Sequence, residues 1–117
     1  DLHNYPAPDI FLFDPKRVNV LGEYGGIGLP VENHLWWNKR NWGYVQFKNS
    51  DEVTAEYVKY ANILKDYVKR GFSAAVYTQT TDVEGEVNGL MTYDRKVIKI
   101  DETAVKKANQ SVINELK

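Results

Sequence analysis

Apolar residues fall at helical spacing in two stretches of the chain. Val53, Tyr57, Tyr60, Ala61, Leu64 and Val68 lie one, three or four positions apart, which stacks them along one face of a helix. Asn49 or Ser50 can cap its start, and Gly71 after Arg70 stops it. The second set, Val105, Ala108, Val112, Ile113 and Leu116, predicts a helix capped by Asp101. Elsewhere the apolar runs are short and strand-like. Arg17 to Leu21 is a β-branched run that stops at Gly22, and "FSAAVYTQT" (72–80) is small and apolar before it turns hydroxyl-rich. Both read as buried strands. Leu90 to Tyr93 and Val97 to Ile100 flank "DRK" and predict a short hairpin.

The segments between lack either period. Pro6, Pro8 and Pro15 keep "YPAPDIFLFDP" in a loop, with at most an apolar turn at Ile10 to Phe13. From Glu23 to Asn49 the chain holds Pro30, His34, Trp36, Trp37, Trp42, Tyr44 and Phe47. A loop longer than about 12–15 residues is usually functional or disordered, and aromatics at this density argue against disorder. "TDVEGEVNG" (81–89) is a turn-rich loop. The order is loop, strand, long aromatic loop, helix, strand, loop, helix. That alternation predicts an α/β domain of parallel strands with covering helices.

Composition narrows the function. The 117 residues are 43% hydrophobic and 13% aromatic, which is globular and bounds the chain to one domain, 1–117. A net charge of -1 offers no basic field, so nucleic acid and anionic membranes are not expected partners. There is no cysteine, which excludes disulfides and thiol catalysis. No stretch is long and apolar enough for a membrane span, and Asp1-Leu2-His3 does not open a signal peptide. His3 and His34 are the only histidines and belong to no metal-spaced motif. No metal or cofactor is expected.

In α/β architectures function gathers where parallel strands end and loops begin. Three such places carry chemistry: His3 and Tyr5, Glu23 within "GEYGG", and Tyr77 to Asp82. Aromatic platforms beside a rigidly placed carboxylate suit carbohydrate chemistry, in which an acid next to the anomeric carbon acts as nucleophile.

These same residues carry a family resemblance. "HNYPAP", "GEYGG", "AAVYTQTTDVEGEVNG" and "LMTYDRKV" resemble the last quarter of the catalytic barrel of glycoside hydrolase family 2, the β-galactosidase and β-glucuronidase kin. The likeness is nearest to the branch common in gut Bacteroidetes and covers essentially the whole chain. It implies the C-terminal portion of a (β/α)8 TIM barrel, strands seven and eight with their helices. It implies a retaining glycosidase in which Glu23, inside the family's S/C/G-E-Y-G/A signature, is the nucleophile. Tyr5 matches the tyrosine that hydrogen-bonds that nucleophile. Tyr77 stands where the family usually has a sugar-lining tryptophan, and Gln79 shares that role. The expected setting is bacterial, periplasmic or extracellular.

Other residues are weighed beside that picture. His3, two positions from Tyr5, is a candidate for the sugar site. Trp36, Trp37 and Trp42 form a sugar platform or pack the long loop, and Trp36 is taken as a sugar contact. Glu32, Glu84 and Glu86 read as solvated loop acids, and Tyr57, Tyr60 and Tyr67 as an inner helix face. A retaining mechanism also needs an acid/base carboxyl, which the family places after an Asn. The only Asn-Glu pair, Asn114-Glu115, falls in the terminal helix. The chain therefore reads as part of a longer enzyme, inactive alone, whose partners are the carbohydrate substrate, the rest of the barrel and another copy of itself. The competing class is a non-catalytic carbohydrate-binding module built on the tryptophans, and a third is a small interaction domain.

Overall fold

Residues 1–117 are described here by a computed structural model. Five short strands and two helices follow the order β1 (Leu2–His3), β2 (Asn19–Gly25), β3 (Ile27–Gly28), β4 (Val45–Gln46), α1 (Ser50–Lys69), β5 (Phe72–Thr78) and α2 (Glu102–Ile113). A 3-10 turn, Asn114–Leu116, closes the chain. β1, β2 and β5 form a parallel sheet with β2 in the middle. β3 and β4 pair in a second, two-stranded parallel sheet.

Local chemistry sets the helices. The Asn49 side chain accepts the Glu52 N–H at 2.9 Å, while the Glu52 carboxylate accepts the Lys48 N–H at 2.8 Å, so two otherwise orphaned donors are satisfied at the start of α1. Val53, Tyr57, Tyr60, Ala61 and Leu64 form its buried face. Tyr60 meets Tyr24 of β2 edge-on, and Tyr57 packs on Tyr77 of β5. Asp101 caps α2 by accepting the Ala104 N–H, and Val105 and Ala108 are its buried contacts. The Tyr57 hydroxyl donates to Asn109 Oδ1 at 2.8 Å and ties the helices together. Ile113 and Leu116, expected on the buried face, are exposed, because the helix ends at Ile113 and the chain tightens into the 3-10 turn.

The chain does not form a portion of a TIM barrel. A barrel places a helix after each strand, whereas here two helices serve a few short parallel strands in two small sheets. Residues 4–18, which join β1 to β2, contain no helix. Pro6, Pro8 and Pro15 remove backbone donors through this link and fix their own φ angles. β3 and β4 lie within the loop that follows β2, and only β2, α1 and β5 make a strand-helix-strand unit.

Two strand expectations also change. β2 does not stop at Gly22 but runs to Gly25; the turn comes at Gly25 and Gly26, whose φ angles of 106° and 67° side chains rarely adopt. The apolar β5 is not buried along its length. Phe72 is 4% exposed, but Ser73 to Val76 face solvent, and β5 is an edge strand with a partner on one side only. An open apolar groove of about 570 Å³ runs beside it, with Val112 and Leu116 on the helix side. Between Leu90 and Ile100 the hairpin reduces to a bridge from Met91 to Ile98 and a few backbone bonds, Thr92 N–H to Val97 and Lys99 N–H to Leu90 among them.

Candidate active site

Glu23 lies near the C-terminal end of β2, and a local irregularity aims it. Leu21 pairs with Ala75 and Tyr24 with Tyr77, so β2 uses one residue more than β5 between these points. That extra residue is a bulge, which bends a strand and redirects side chains. Leu21 and Tyr24 both enter the core, at 1% and 5% exposure. Glu23 falls between these two register points with β5, stays paired with His3 of β1, and keeps its side chain 43% exposed. Backbone bonds hold the segment from both sides. Asn4 N–H donates to the Glu23 carbonyl at 3.0 Å, Gly25 N–H to Pro6 at 2.8 Å, and Gly26 N–H to Thr78 at 2.7 Å.

The Tyr5 hydroxyl donates to Glu23 Oε2 at 2.6 Å, the short separation of a charge-assisted bond. Its oxygen also lies 2.8 Å from Thr78 Oγ1. With the single phenolic proton directed at the carboxylate, the Thr78 hydroxyl is the donor in that second contact. Burial, and then the bond to Glu23, pushes the Tyr5 phenol up to about 12, so it serves as a neutral donor over the physiological range. His3 pairs with Glu23 across the sheet; its Nδ1 is 3.5 Å from Glu23 Oε2 and its Nε2 is 3.0 Å from Asp1 Oδ2. The imidazole thus stands between two carboxylates. A Cβ on Gly22 would meet the Asp1 carboxylate and approach His3 Nε2, so a larger residue there would push the flexible Asp1 side chain off the imidazole.

The remaining sequence candidates lie elsewhere. Tyr77 does not share the Glu23 cavity: its ring packs on Tyr24 and Tyr57, on the helix side of the sheet. Successive strand residues face opposite sides, so Thr78, one position on, reaches the Tyr5 hydroxyl instead. Gln79 donates to Asn88 Oδ1 at 2.7 Å, and Asn88 in turn donates to Glu86 Oε1 at 3.0 Å. Its amide N–H is directed into the 81–89 loop, and Glu86 is a half-buried acceptor in this run, not a free surface acid. Trp36 packs on Tyr93 with ring centres 5.6 Å apart. Beside that pair, His34 Nδ1 lies 2.8 Å from Asp94 Oδ2, and the Thr92 hydroxyl donates to Asp94 Oδ1 at 2.6 Å. The Thr92 hydroxyl, and then His34, hold the Asp94 carboxyl well below the usual carboxylate range.

Three groups near or beneath the site have no signal in the spacing of residues. Tyr44 stacks on Tyr5 with ring centres 3.7 Å apart and planes 6° from parallel. Thr78 is a hydroxyl in a hydroxyl-rich run. Lys99, 1% exposed, reaches beneath the 81–89 loop and donates to Asp82 Oδ1 at 2.6 Å and to the Val87 carbonyl at 3.0 Å. Burial pushes the Asp82 carboxyl up and the Lys99 ammonium down, while their mutual contact opposes both shifts. No group of three or more histidine, aspartate or glutamate side chains is arranged to hold a metal ion. What the site offers is one open carboxylate, oriented by a neutral phenol and flanked by an imidazole. The chain matches no protein-family model, and no curated protein matches it.

Proposed function

We propose that Glu23 is the nucleophile of a retaining glycoside hydrolase acting on O-glycosides. The observation that carries this reading is the 2.6 Å bond from the Tyr5 hydroxyl to Glu23 Oε2. It occupies one carboxylate oxygen and orients the other, while 43% of the side chain stays open to an incoming ligand. The resemblance of "HNYPAP" and "GEYGG" to family 2 glycosidases supports the same assignment.

In the proposed reaction the free Glu23 oxygen attacks the anomeric carbon, and the bond to the departing oxygen breaks. A general acid protonates that oxygen, and water then cleaves the glycosyl ester with the same group acting as base. The phenolic proton of Tyr5 stays on its oxygen through these steps, and its hydrogen bond to Glu23 weakens as the carboxylate becomes an ester and strengthens again on hydrolysis. The acid/base carboxyl, about 5–5.5 Å from the nucleophile in such enzymes, is assigned to chain outside these 117 residues. The runner-up, a non-catalytic carbohydrate-binding unit, draws on the exposure of Trp42 and Tyr44.

The test is to trap the full-length protein with a 2-deoxy-2-fluoroglycosyl fluoride and map the ester by peptide mass spectrometry. The expected label is on Glu23 and is lost in Glu23→Gln. A label on another residue, or full turnover by Glu23→Gln, overturns the assignment.

A further inference from the structure

Beyond the carboxylate, the Tyr5 ring continues into an ordered row of aromatic side chains. Tyr44 lies flat against Tyr5, and Trp42 meets Tyr44 edge-on at 5.6 Å and 76°. Buried aromatics in such a row would simply be core. These are not: Tyr44 is 48% exposed and Trp42 47%.

Their backbone is nevertheless fixed. Tyr44 N–H donates to the Gly26 carbonyl at 3.0 Å, Trp42 N–H to Gly85 at 2.8 Å, and Val87 N–H to the Trp42 carbonyl at 2.9 Å. Exposed aromatic surface on a flexible loop must lose its freedom when a ligand orders it, and a pinned ledge has already lost it.

We propose that Trp42 and Tyr44 form a pyranose-binding ledge, a subsite on which a sugar ring adjoining the scissile bond stacks its C–H face. The proposal rests on the reading of Glu23 for its position beside the reacting carbon, but not for the binding itself. Three features point to a sugar rather than a purely apolar group. The ledge starts one ring away from a carboxylate, a phenol and an imidazole, all of which bind hydroxyls. Its own faces are amphipathic, with the Trp42 indole N–H and the Tyr44 hydroxyl as polar handles. The three rings touch one another in sequence and are not scattered singly.

Titration of the isotope-labelled 117-residue chain with lactose, cellobiose and methyl β-D-glucuronide, followed by NMR, tests this. The Trp42 indole N–H resonance is expected to move with at least one of these probes, ahead of those of Trp36 and Trp37. Trp42→Ala and Tyr44→Ala should each weaken that binding by about tenfold. A silent Trp42 resonance with every probe, or unchanged binding by Trp42→Ala, overturns the proposal. Because the first readout needs no substitution, a variant that fails to fold does not obscure it. The two readings separate cleanly. A Trp42 response without a label on Glu23 leaves a binding unit, and a labelled Glu23 with a silent Trp42 leaves the nucleophile without this ledge.

Discussion

Replacing Lys99 with methionine should remove a large share of the chain's stability. The substitution keeps most of the apolar stem and deletes only the ammonium. What remains is a carboxylate on Asp82 whose side chain is 3% exposed, with the Gly89 N–H at 2.8 Å as its remaining donor. Removing one partner of a buried pair costs about 3–5 kcal/mol, because the other charge is left uncompensated. Small domains are stable by only about 5–15 kcal/mol. With a urea slope near 2 kcal/mol/M, the unfolding midpoint of Lys99→Met should fall by roughly 1.5–2.5 M.

Two further measurements separate this cause from simple loss of packing. Adding Asp82→Asn to Lys99→Met removes both charges and should restore more than half of the loss. The deficit of the single variant should also shrink on acidification. A carboxyl raised above its unfolded value of about 3.9 favours the folded state when protonated and disfavours it as the pH climbs past that value. A loss below about 1 kcal/mol, or a double variant that merely adds two penalties, refutes the reasoning.

Two other expectations follow from the geometry. The Tyr5 phenol, pushed up to about 12 by burial and by Glu23, contributes stability below pH about 10, its unfolded value, and loses it as the pH rises from there toward 12. Ultraviolet titration of the chain against Tyr5→Phe should show Glu23→Gln lowering that value part of the way toward 10, and no change would mean the bond is absent in solution. The free edge of β5, with Val76 53% exposed, should pair with a second copy; sedimentation is expected to give a dimer that Val76→Lys dissolves, and a monomer at all concentrations would refute it.

Both helices were legible because they depend on local rules. The apolar period and the caps at Asn49 and Asp101 need no knowledge of distant residues. The sheet was less so. "GEYGG" marked a special place, but glycine within a bulged strand and glycine ending a strand look alike in one dimension. The extra residue shows only against the register of β5. The apolar run of β5 suggested burial, yet burial depends on what packs over each face of the sheet. The barrel expectation carried a topology with the motifs, and three prolines before β2 were the local sign against a helix there. At the site, Glu23 and Tyr5 stood out through the family resemblance. Thr78 did not, because side-chain parity in β5 decides whether it or Tyr77 meets Tyr5. Asp82 and Lys99 are 17 residues apart, and no periodicity links a carboxylate in a turn to a lysine that folds beneath it.

The two-residue ladder between β3 and β4 has a consequence for how this chain could vary in evolution. Ile27 pairs with Val45 and Gly28 with Gln46, and backbone bonds from Leu29 to Val87 and from Trp42 to Gly85 pin both limbs beyond that ladder, so only the stretch between them stands clear of the body. The cost of closing a loop grows only with the logarithm of its length, and a doubling adds about 0.6 kcal/mol. Insertions and deletions in the exposed tip, residues 36–40, can therefore accumulate while the ladder keeps its register and the Glu23 carboxylate its place. The side chains of the tip can drift at little thermodynamic cost, except Trp36, which is held against Tyr93.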